Sequence, residues 1–344
     1  IRPLKTRMVL RGQENIQVLG KVVPALAWDV TASLIPGIVS NLYTDEYGRD
    51  LKSTTTIFPG MSFDLMLANP KIAQAKVNPP ELLVSLLVRP DQPIPNPRAL
   101  KSAVYELDFG SDSEKIDGRS GLTVKLPRTG SQRVVWNDAG SAAVVVSLND
   151  PVSPGKDLPT PSHLRASATL NHEDPKVQSL ARQALNGAPY DLSEGEKAEQ
   201  LRHFVREFIE VKDLQVGFAT ASEVARTAQG DCTEHGVLLA ALLRAEKIPS
   251  RTAAGVIYVT DSFLGEKDIF AYHMWAQAWL PTRIDTGETV YCWVDLDATR
   301  VEPFDAAHIT LMVSAMDDSD PFDGLIDMAP ILGRLRVKVV ELGH

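Results

Sequence analysis

The strongest constraint on the fold is an unbroken apolar run at residues 236–243, Gly-Val-Leu-Leu-Ala-Ala-Leu-Leu. This run lies within a predicted helix that starts near Cys232 and ends close to Glu246, before Pro249, because a residue that precedes proline disfavours the helical conformation. A helix without a polar face is stable only when other elements cover it on nearly every side. The run falls far short of the roughly 20 apolar residues of a membrane-spanning helix. The sequence therefore predicts a core helix and no membrane span.

The segments on either side of this helix can supply its cover. Upstream, Ser193 and Glu196 form a capping box, which marks the start of a predicted helix over 194–211, and a second helix is predicted over 222–229. Downstream, strands are predicted at 251–259, 272–280, 290–297, 309–313 and 335–342, with a short helix near 324–329. Helices followed by antiparallel strands predict an α+β domain over residues 161–344.

Residues 1–160 are β-rich and form the predicted N-terminal domain. Short strands are predicted at 16–23, 53–58, 102–109, 122–126 and 142–148. Their spacing favours a sandwich-like domain or an open barrel over βαβ units. Four prolines between residues 150 and 161 indicate an extended linker at the end of this domain. Because no cysteine and no histidine precede His163, we interpret the domain as a packing or substrate-presenting module.

Charge and cysteine content narrow the possible partners. The chain has a formal net charge of −9, and residues 161–344 hold 17 Lys and Arg against 28 Asp and Glu. Because these residues carry an excess of negative charge, they would repel phosphate backbones. Nucleic acid is therefore not a predicted partner. The two cysteines, Cys232 and Cys292, are too few for a disulfide framework, although one bridge between them stays possible. Since the chain begins at Ile1, we expect that an upstream segment was removed: a signal peptide, an anchor or sequence left out in cloning.

Cys232 is the first candidate for chemistry, because it follows Gly230-Asp231 at the start of the apolar helix. Unpaired N–H groups and the positive end of the helix dipole favour a thiolate at this position. Free cysteine is also a common small core residue, so the position alone leaves both interpretations open.

The strand at 272–280 adds a candidate base. Alternation places His273, Trp275, Gln277 and Trp279 on one face. A histidine that leads a row of aromatic residues suits a base in a lined cleft.

The next strand, 290–297, places Trp293, Asp295 and Asp297 on one face. If the two strands pair antiparallel, its acidic end meets the start of the His273 strand. A carboxylate there would orient the imidazole and stabilise its charged form. Cys232, His273 and Asp297 are thus candidates for nucleophile, base and orienting group.

Three motifs resemble those of the bacterial transglutaminase-like superfamily, whose catalytic triad is a papain-like Cys-His-Asp. They are Gly-Asp-Cys-Thr-Glu-His at 230–235 with the apolar helix after it, Tyr-His-Met-Trp-Ala-Gln at 272–277, and Trp-Val-Asp-Leu-Asp-Ala-Thr at 293–299. The resemblance covers roughly residues 175–300 and extends more loosely to a tail that contains His308. It implies a papain/transglutaminase-like catalytic domain.

The same resemblance selects between the two aspartates. Asp297 falls on the catalytic aspartate of the family, and Asp295 stands where proline is common. Two other positions differ from the usual pattern: Gln277 stands where many members have glutamate, and Ala298 where many have proline. None of these changes removes a catalytic group, so the resemblance implies an intact site.

The resemblance implies acyl transfer through a thioester on Cys232, in a bacterial and exported protein that is periplasmic or extracellular rather than cytoplasmic. A protein or peptide substrate is expected. Hydrolysis would make the chain a cysteine peptidase or amidase, and an amine acceptor would make it a cross-linking transglutaminase. We favour hydrolysis; a non-catalytic binding module that keeps the fold is the remaining alternative.

Other residues are candidates to stabilise the oxyanion or to line the substrate cleft. The backbone N–H of Cys232 is a natural oxyanion donor, and Gln229 is a second candidate by proximity. Trp275 and Trp293, with Trp279, would suit a partly apolar acceptor cleft.

Neither a metal nor a cofactor is predicted. Cys232 and His235 have the spacing of half a zinc site, but no second pair of matching spacing is present. No calcium-binding loop of alternating aspartates was found either.

Overall fold

The computed structural model describes residues 5–32, 39–58, 61–73, 87–109, 124–137, 141–150, 155–189, 191–210, 219–284, 287–318, 328 and 331–344. Its strands are β1 Thr6–Val18, β2 Lys21–Ala32, β3 Val39–Thr44, β4 Asp50–Phe58, β5 Met61–Met66, β6 Ser102–Asp108, β7 Gln132–Trp136, β8 Ser141–Ser147, β9 Ser250–Val259, β10 Ile269–Arg283, β11 Thr289–Leu296, β12 His308–Ser314 and β13 Arg336–Gly343. Its main helices are α1 Pro175–Ala184, α2 Glu194–Phe208, α3 Ala221–Thr227 and α4 Cys232–Ala245, and shorter turns lie at Pro70–Ala73, Pro97–Ala99 and Pro161–His163. The predicted α+β class is confirmed.

The chain divides into two compact units, residues 1–81 with 116–119, and residues 82–115 with 120–344. In the described part of the first unit, strands β1 to β5 form one antiparallel sheet in sequence order. The predicted strand at 16–23 is wrong, because it spans the β1–β2 turn. Leu19 and Gly20 have positive φ angles of 49° and 80°, as a two-residue hairpin turn of type I′ requires.

The boundary between units differs from the one predicted at residue 160. The last strand, β13, pairs with β6, so that Val337 lies opposite Leu107, and the resulting sheet has the order β13-β6-β8-β7. Strands β6, β7 and β8 of the β-rich region therefore share a unit with residues 161–344. Sequence composition cannot foresee this arrangement, because it depends on pairing between segments far apart in the chain.

The second unit also contains the sheet β11-β10-β9-β12, and α4 contacts both β9 and β10. Helix α4 is buried continuously from Glu234 to Arg244, which confirms the predicted core helix. Its cover comes from helices α1 to α3 and from apolar residues of β10 and β11 such as Ala276, Ala278 and Leu296. This packing fixes the N-terminus of α4 beside the sheet.

Helix α1 was not predicted from the sequence. Asp174 caps it by accepting a hydrogen bond from the backbone N–H of Lys176, and Pro175 occupies its first turn. Asp followed by Pro is a start signal, which could have identified this helix.

Two predicted elements fall wholly or partly outside the described residues. Residues 124–126 of the strand predicted at 122–126 are not in a strand, and residues 122 and 123 lie outside the described part. The short helix predicted near 324–329 lies outside the described residues except for residue 328. No described helix is long and apolar enough to cross a membrane.

Candidate active site

Cys232 is the first residue of α4, and a capping box fixes the turn that leads into it. The Asp231 carboxylate accepts a hydrogen bond from the backbone N–H of Thr233 at 2.8 Å, and Glu234 Oε2 accepts one from the backbone N–H of Asp231 at 2.9 Å. The Cys232 thiol is free and half-buried. It therefore lies at the positive end of a buried helix, where a thiolate is stabilised.

Gly230 and Glu234 shape this turn together. Gly230 has φ +152°, and a Cβ atom there would lie 2.2 Å from Cβ of Glu234, so no larger residue fits without a shift. Glu234 is fully buried, and its Oε1 also accepts a hydrogen bond from the backbone N–H of Ala219 at 2.9 Å. Burial raises the pKa of Glu234, while those N–H groups favour its charged form. Sequence reasoning passed over Glu234, although the spacing Asp231-x-x-Glu234 is a capping-box signal.

His273 and Asp297 meet because β10 and β11 pair antiparallel, as predicted, with Gln277 opposite Asp295 and Trp279 opposite Trp293. His273 Nε2 lies 3.0 Å from Asp297 Oδ2. The His273 side chain is 9% exposed, and that of Asp297 is fully buried.

Cys232 and His273 line the same cavity, and the Cys232 side chain is close enough to raise the pKa of the His273 imidazole. The structure thus brings the three predicted residues, Cys232, His273 and Asp297, into one line of contacts.

The electrostatics of this group favour a charged histidine. Burial lowers the pKa of His273, but the charge and hydrogen bond of Asp297, together with Cys232, outweigh burial and raise it to about 10. Burial likewise raises the pKa of Asp297, but His273 and His308 overcome this and hold it well below its usual range. His273 and Asp297 therefore form a buried ion pair at neutral pH.

Thr299 orients the same carboxylate. Its backbone N–H and its hydroxyl both donate to Asp297 Oδ1, at 2.9 and 2.7 Å. With Oδ1 held in this way, Oδ2 is left to face His273.

His308 is a second histidine on this aspartate, and sequence reasoning did not assign it a role. Its Nε2 lies 3.4 Å from Asp297 Oδ2, and its Nδ1 lies 3.0 Å from both Oδ1 and the backbone oxygen of Asp305. Since both ring nitrogens face oxygen acceptors, the geometry suits the doubly protonated ring. Burial lowers the pKa of His308, but the two carboxylates outweigh burial and raise it. Arg98 pairs with Asp305 at 2.5 Å and balances the added negative charge.

Among the described residues, one group of side chains could hold a metal ion: His273, Asp297 and His308. Their candidate ligand atoms all lie within 4.8 Å of one another. These atoms are already joined by the hydrogen bonds described above. His235, which has the spacing of half a zinc site with Cys232, is buried, and its Nδ1 lies 2.5 Å from the backbone oxygen of Asp231.

Asp295 belongs to a different network. Its carboxylate accepts hydrogen bonds from Trp275 Nε1 at 2.7 Å, Gln277 Nε2 at 2.5 Å and Ser131 Oγ at 2.6 Å. The amide oxygen of Gln277 accepts from Arg251 Nε at 2.7 Å. A glutamine fits this position because one side chain must accept a hydrogen bond from Arg251 and donate one to Asp295.

The residues proposed as support have separate surroundings. Trp275 is fully buried and stacks near His273, with ring centroids 6.0 Å apart. Trp293 is also buried, and its Nε1 donates to the backbone oxygen of Asp157 at 2.9 Å. Gln229 is exposed, three residues before Cys232. The indole N–H groups of Trp275 and Trp293 are paired in the interior, and no tryptophan is among the described lining residues of the cavity at Cys232.

The cavity at Cys232 is lined mainly by aliphatic residues and one phenylalanine. Its volume is about 400 Å³, and both Cys232 and His273 line it. Its apolar lining comes mainly from Leu87, Ile257, Val259, Phe263, Leu264 and Ala271.

The two cysteines are not bridged to each other, because both are free. Cys292 is buried away from this cavity, opposite Leu280 in the β10–β11 pair.

A sequence model of the transglutaminase-like superfamily matches residues 178–298. No curated protein matches the chain.

Several solved structures are similar to it. A candidate cysteine protease from Cytophaga hutchinsonii is 15% identical with a TM-score of 0.39, over 70% of this chain and 86% of that one. The periplasmic domain of TgpA from Pseudomonas aeruginosa, bound to ethylmercury, is 16% identical with a TM-score of 0.33, over 62% of this chain and 88% of that one. Red sea bream transglutaminase is 13% identical with a TM-score of 0.31, over 63% of this chain and 49% of that one.

The family match spans α1 to α4 and β9 to β11, and therefore includes Cys232, His273 and Asp297. The chain therefore contains a domain of the transglutaminase-like superfamily at residues 178–298.

Proposed function

We propose that the chain is a thiol acyl-transfer enzyme that acts on peptide or carboxamide bonds through a thioester on Cys232, and that water completes the reaction. The observation that carries the proposal is the line of contacts from Cys232 at the start of α4 through His273 to the buried Asp297, whose Oδ2 lies 3.0 Å from His273 Nε2. A nucleophile, a base and an orienting carboxylate in contact form the arrangement that nucleophilic catalysis requires.

The first half of the reaction forms the thioester. The Cys232 thiolate attacks the carbonyl carbon, a C–S bond forms, and the carbonyl electron pair moves to oxygen. The backbone N–H of Cys232 donates to this oxyanion, with Gln229 as the proposed second donor. The tetrahedral intermediate then collapses, the C–N bond breaks, and protonated His273 gives its proton to the leaving amine.

The second half regenerates the enzyme. Neutral His273 takes a proton from water as the water attacks the thioester carbon, and the C–S bond then breaks to release a carboxylic acid and the thiolate. Asp297 keeps the imidazole oriented in both halves and stabilises its charged form. A primary amine in place of water would yield a new amide, which is the transglutaminase reaction.

Alkylation by iodoacetamide between pH 5 and pH 9, followed at each cysteine by peptide mass, tests the activated thiol. We expect fast labelling of Cys232 near pH 6. Cys292 is the internal control, since burial raises the pKa of its thiol. Equal and slow labelling of both cysteines, with ordinary thiol pH dependence, would support the non-catalytic binding module.

A second assay separates the two reactions. Peptide substrates are incubated with and without a fluorescent primary amine, and the products are identified by mass. Free acid in both samples supports hydrolysis, whereas incorporation of the amine at the expense of acid supports transamidation. The Cys232→Ala protein is the negative control, and Cys292→Ala is the matched cysteine control.

We also propose that the β-rich N-terminal region, predicted as a domain over residues 1–160, presents substrate, and that the protein acts outside the cytoplasm. Fractionation of cells that express the complete gene tests the location. Removal of residues 1–81 tests substrate presentation: turnover of a protein substrate should fall, while turnover of a short peptide should persist.

A further inference from the structure

The cavity that holds Cys232 and His273 is lined mostly by apolar side chains from four separate segments. Ile257 and Val259 come from β9, Ala271 comes from β10, and Phe263 and Leu264 come from the loop that joins these strands. Leu87 adds a further apolar side chain from a distant part of the chain. Its volume of about 400 Å³ falls within the roughly 300–1,000 Å³ of ligand pockets.

Specific contacts hold these walls together. Val88, next to Leu87, exchanges two backbone hydrogen bonds with Phe270, at 2.9 and 2.7 Å. Arg89 forms an ion pair with Glu266 of the β9–β10 loop at 2.6 Å. Phe263 and Glu266 exchange two more backbone hydrogen bonds, at 2.8 and 3.0 Å, which close the loop on itself. The apolar walls therefore belong to a preformed pocket.

Charged groups are few in this pocket. Asp231 and Arg300 are the charged side chains in the described lining, apart from the ionisable Cys232 and the two histidines. The Asp231 carboxylate already accepts the backbone N–H of Thr233. Along the walls formed by Ile257, Val259, Phe263 and Leu264, a charged or strongly polar substrate group would lose water and meet only apolar side chains, which costs free energy, whereas an apolar group would gain by leaving water.

We infer that this pocket selects substrates that carry a large apolar group, aromatic or branched aliphatic, beside the carbonyl that Cys232 attacks. The inference rests on the proposed function, because it names the substrate class of the same site. Phe263 and Leu264 are its proposed specificity-determining residues, since both are only partly buried on the loop and face the pocket as lining.

Two chloroacetamides that differ only in the group on nitrogen, N-benzyl and N-methyl, test the pocket. Each alkylates a thiolate, which forms a C–S bond and expels chloride. The ratio of the two rates at Cys232, divided by the same ratio for free cysteine, measures recognition of the benzyl group. The fraction of thiolate cancels in this ratio, so the result does not depend on whether Cys232 is activated.

We expect the corrected ratio to favour the benzyl compound by about tenfold or more, since apolar groups a few carbons apart in size differ by that much in a fitted pocket. Phe263→Ala and Leu264→Ala should each reduce the ratio severalfold. Leu164→Ala is the matched control, because Leu164 is a partly exposed leucine outside the described lining and should leave the ratio unchanged.

A corrected ratio near one for the wild-type protein would overturn the inference, as would equal ratios in the wild type and both loop variants. Failure of the proposed function has a different signature, which is slow iodoacetamide labelling of Cys232 near pH 6. The two failures are therefore distinguishable in one set of samples.

Discussion

Two buried aspartates lie two residues apart at the end of β11 and immediately after it, and their surroundings differ in kind. Asp295 is held by the indole of Trp275, the amide of Gln277 and the hydroxyl of Ser131, none of which titrates near neutral pH. Asp297 faces two histidines, His273 and His308.

Asp295 and Asp297 differ in whether their partners can change charge. Neutral donors around Asp295 fix a carboxylate as part of the interior, where it joins β10 to β11. The Asp297 carboxylate stays charged and stabilises the charged form of the histidines beside it, as the proposed reaction requires of an orienting carboxylate. Residue type alone does not separate the two; their partners do.

The largest expected effect is that of Asp297→Asn on turnover. An amide cannot stabilise the imidazolium form of His273 and can favour the wrong tautomer, so kcat should fall by roughly 10³–10⁴-fold. Turnover is measured on a substrate found in the peptide screen, with circular dichroism to verify folding. If Asp295→Asn lowers kcat more than Asp297→Asn does, the assignment of the two aspartates is reversed.

His308→Gln should have the next largest effect. His308 acts through Asp297, so it is a positioning residue, and we expect kcat to fall by about 10–100-fold, as for other groups that orient a reactive side chain. KM should change little, because His308 does not line the described part of the cavity.

A purely structural His308 would behave differently. It would lower the thermal midpoint and leave kcat per folded molecule unchanged. Phe304→Leu is the packing control, because Phe304 stacks on His308 with ring centroids 4.3 Å apart but does not contact Asp297 through a hydrogen bond.

The pH dependence of stability should reveal the ion pair between Asp297 and His273. The pKa of His273 is raised to about 10, so its ion pair with Asp297 contributes stability that is complete below the ordinary histidine pKa, near 6.5. That contribution declines as the pH rises from about 6.5 to about 10. The thermal midpoint of the wild type should therefore fall more over this range than that of His273→Gln. Parallel curves for the two proteins would contradict the ion pair.

The sequence predicted the parts of this site that depend on local signals. The apolar run locates α4, and the glycine turn places Cys232 at its start. Alternation places His273 on β10 and Asp297 directly after β11, and these two strands pair as expected. The motifs then select Asp297 over Asp295.

The parts that could not be predicted depend on contacts between distant segments. Strand β13 pairs with β6, although more than 200 residues of sequence separate the two strands. Leu87 lines the cavity, although it is far from Cys232 in the sequence. His308 lies 11 residues after Asp297 in sequence, and only the return of β12 beside β9 brings it back to that carboxylate. No local pattern in the sequence encodes these approaches.

Asp295→Asn tests the other half of the comparison. The added NH₂ group would face donors from Trp275, Gln277 and Ser131, so at least one buried donor would lose its partner. We expect the free energy of unfolding to fall by about 1–3 kcal/mol, measured by urea denaturation. Turnover per folded molecule should change by less than about threefold, since none of these groups touches His273 through a hydrogen bond. A large loss of kcat without a loss of stability would assign Asp295 to the reaction.

Gln277→Glu should have the smallest effect on the free energy of unfolding. It tests one hydrogen bond, the one between Gln277 and Asp295. The new carboxylate would still accept from Arg251, but at Asp295 it would replace a donor by a like charge, so we expect a loss of about 1–2 kcal/mol in the free energy of unfolding. Combining Gln277→Glu with Asp295→Asn restores a donor–acceptor pair in reversed order. If the hydrogen bond between these two side chains causes the loss, the double variant is more stable than the sum of the single effects predicts. Additive losses would show instead that each residue acts through its other partners, Arg251 for Gln277 and Trp275 with Ser131 for Asp295.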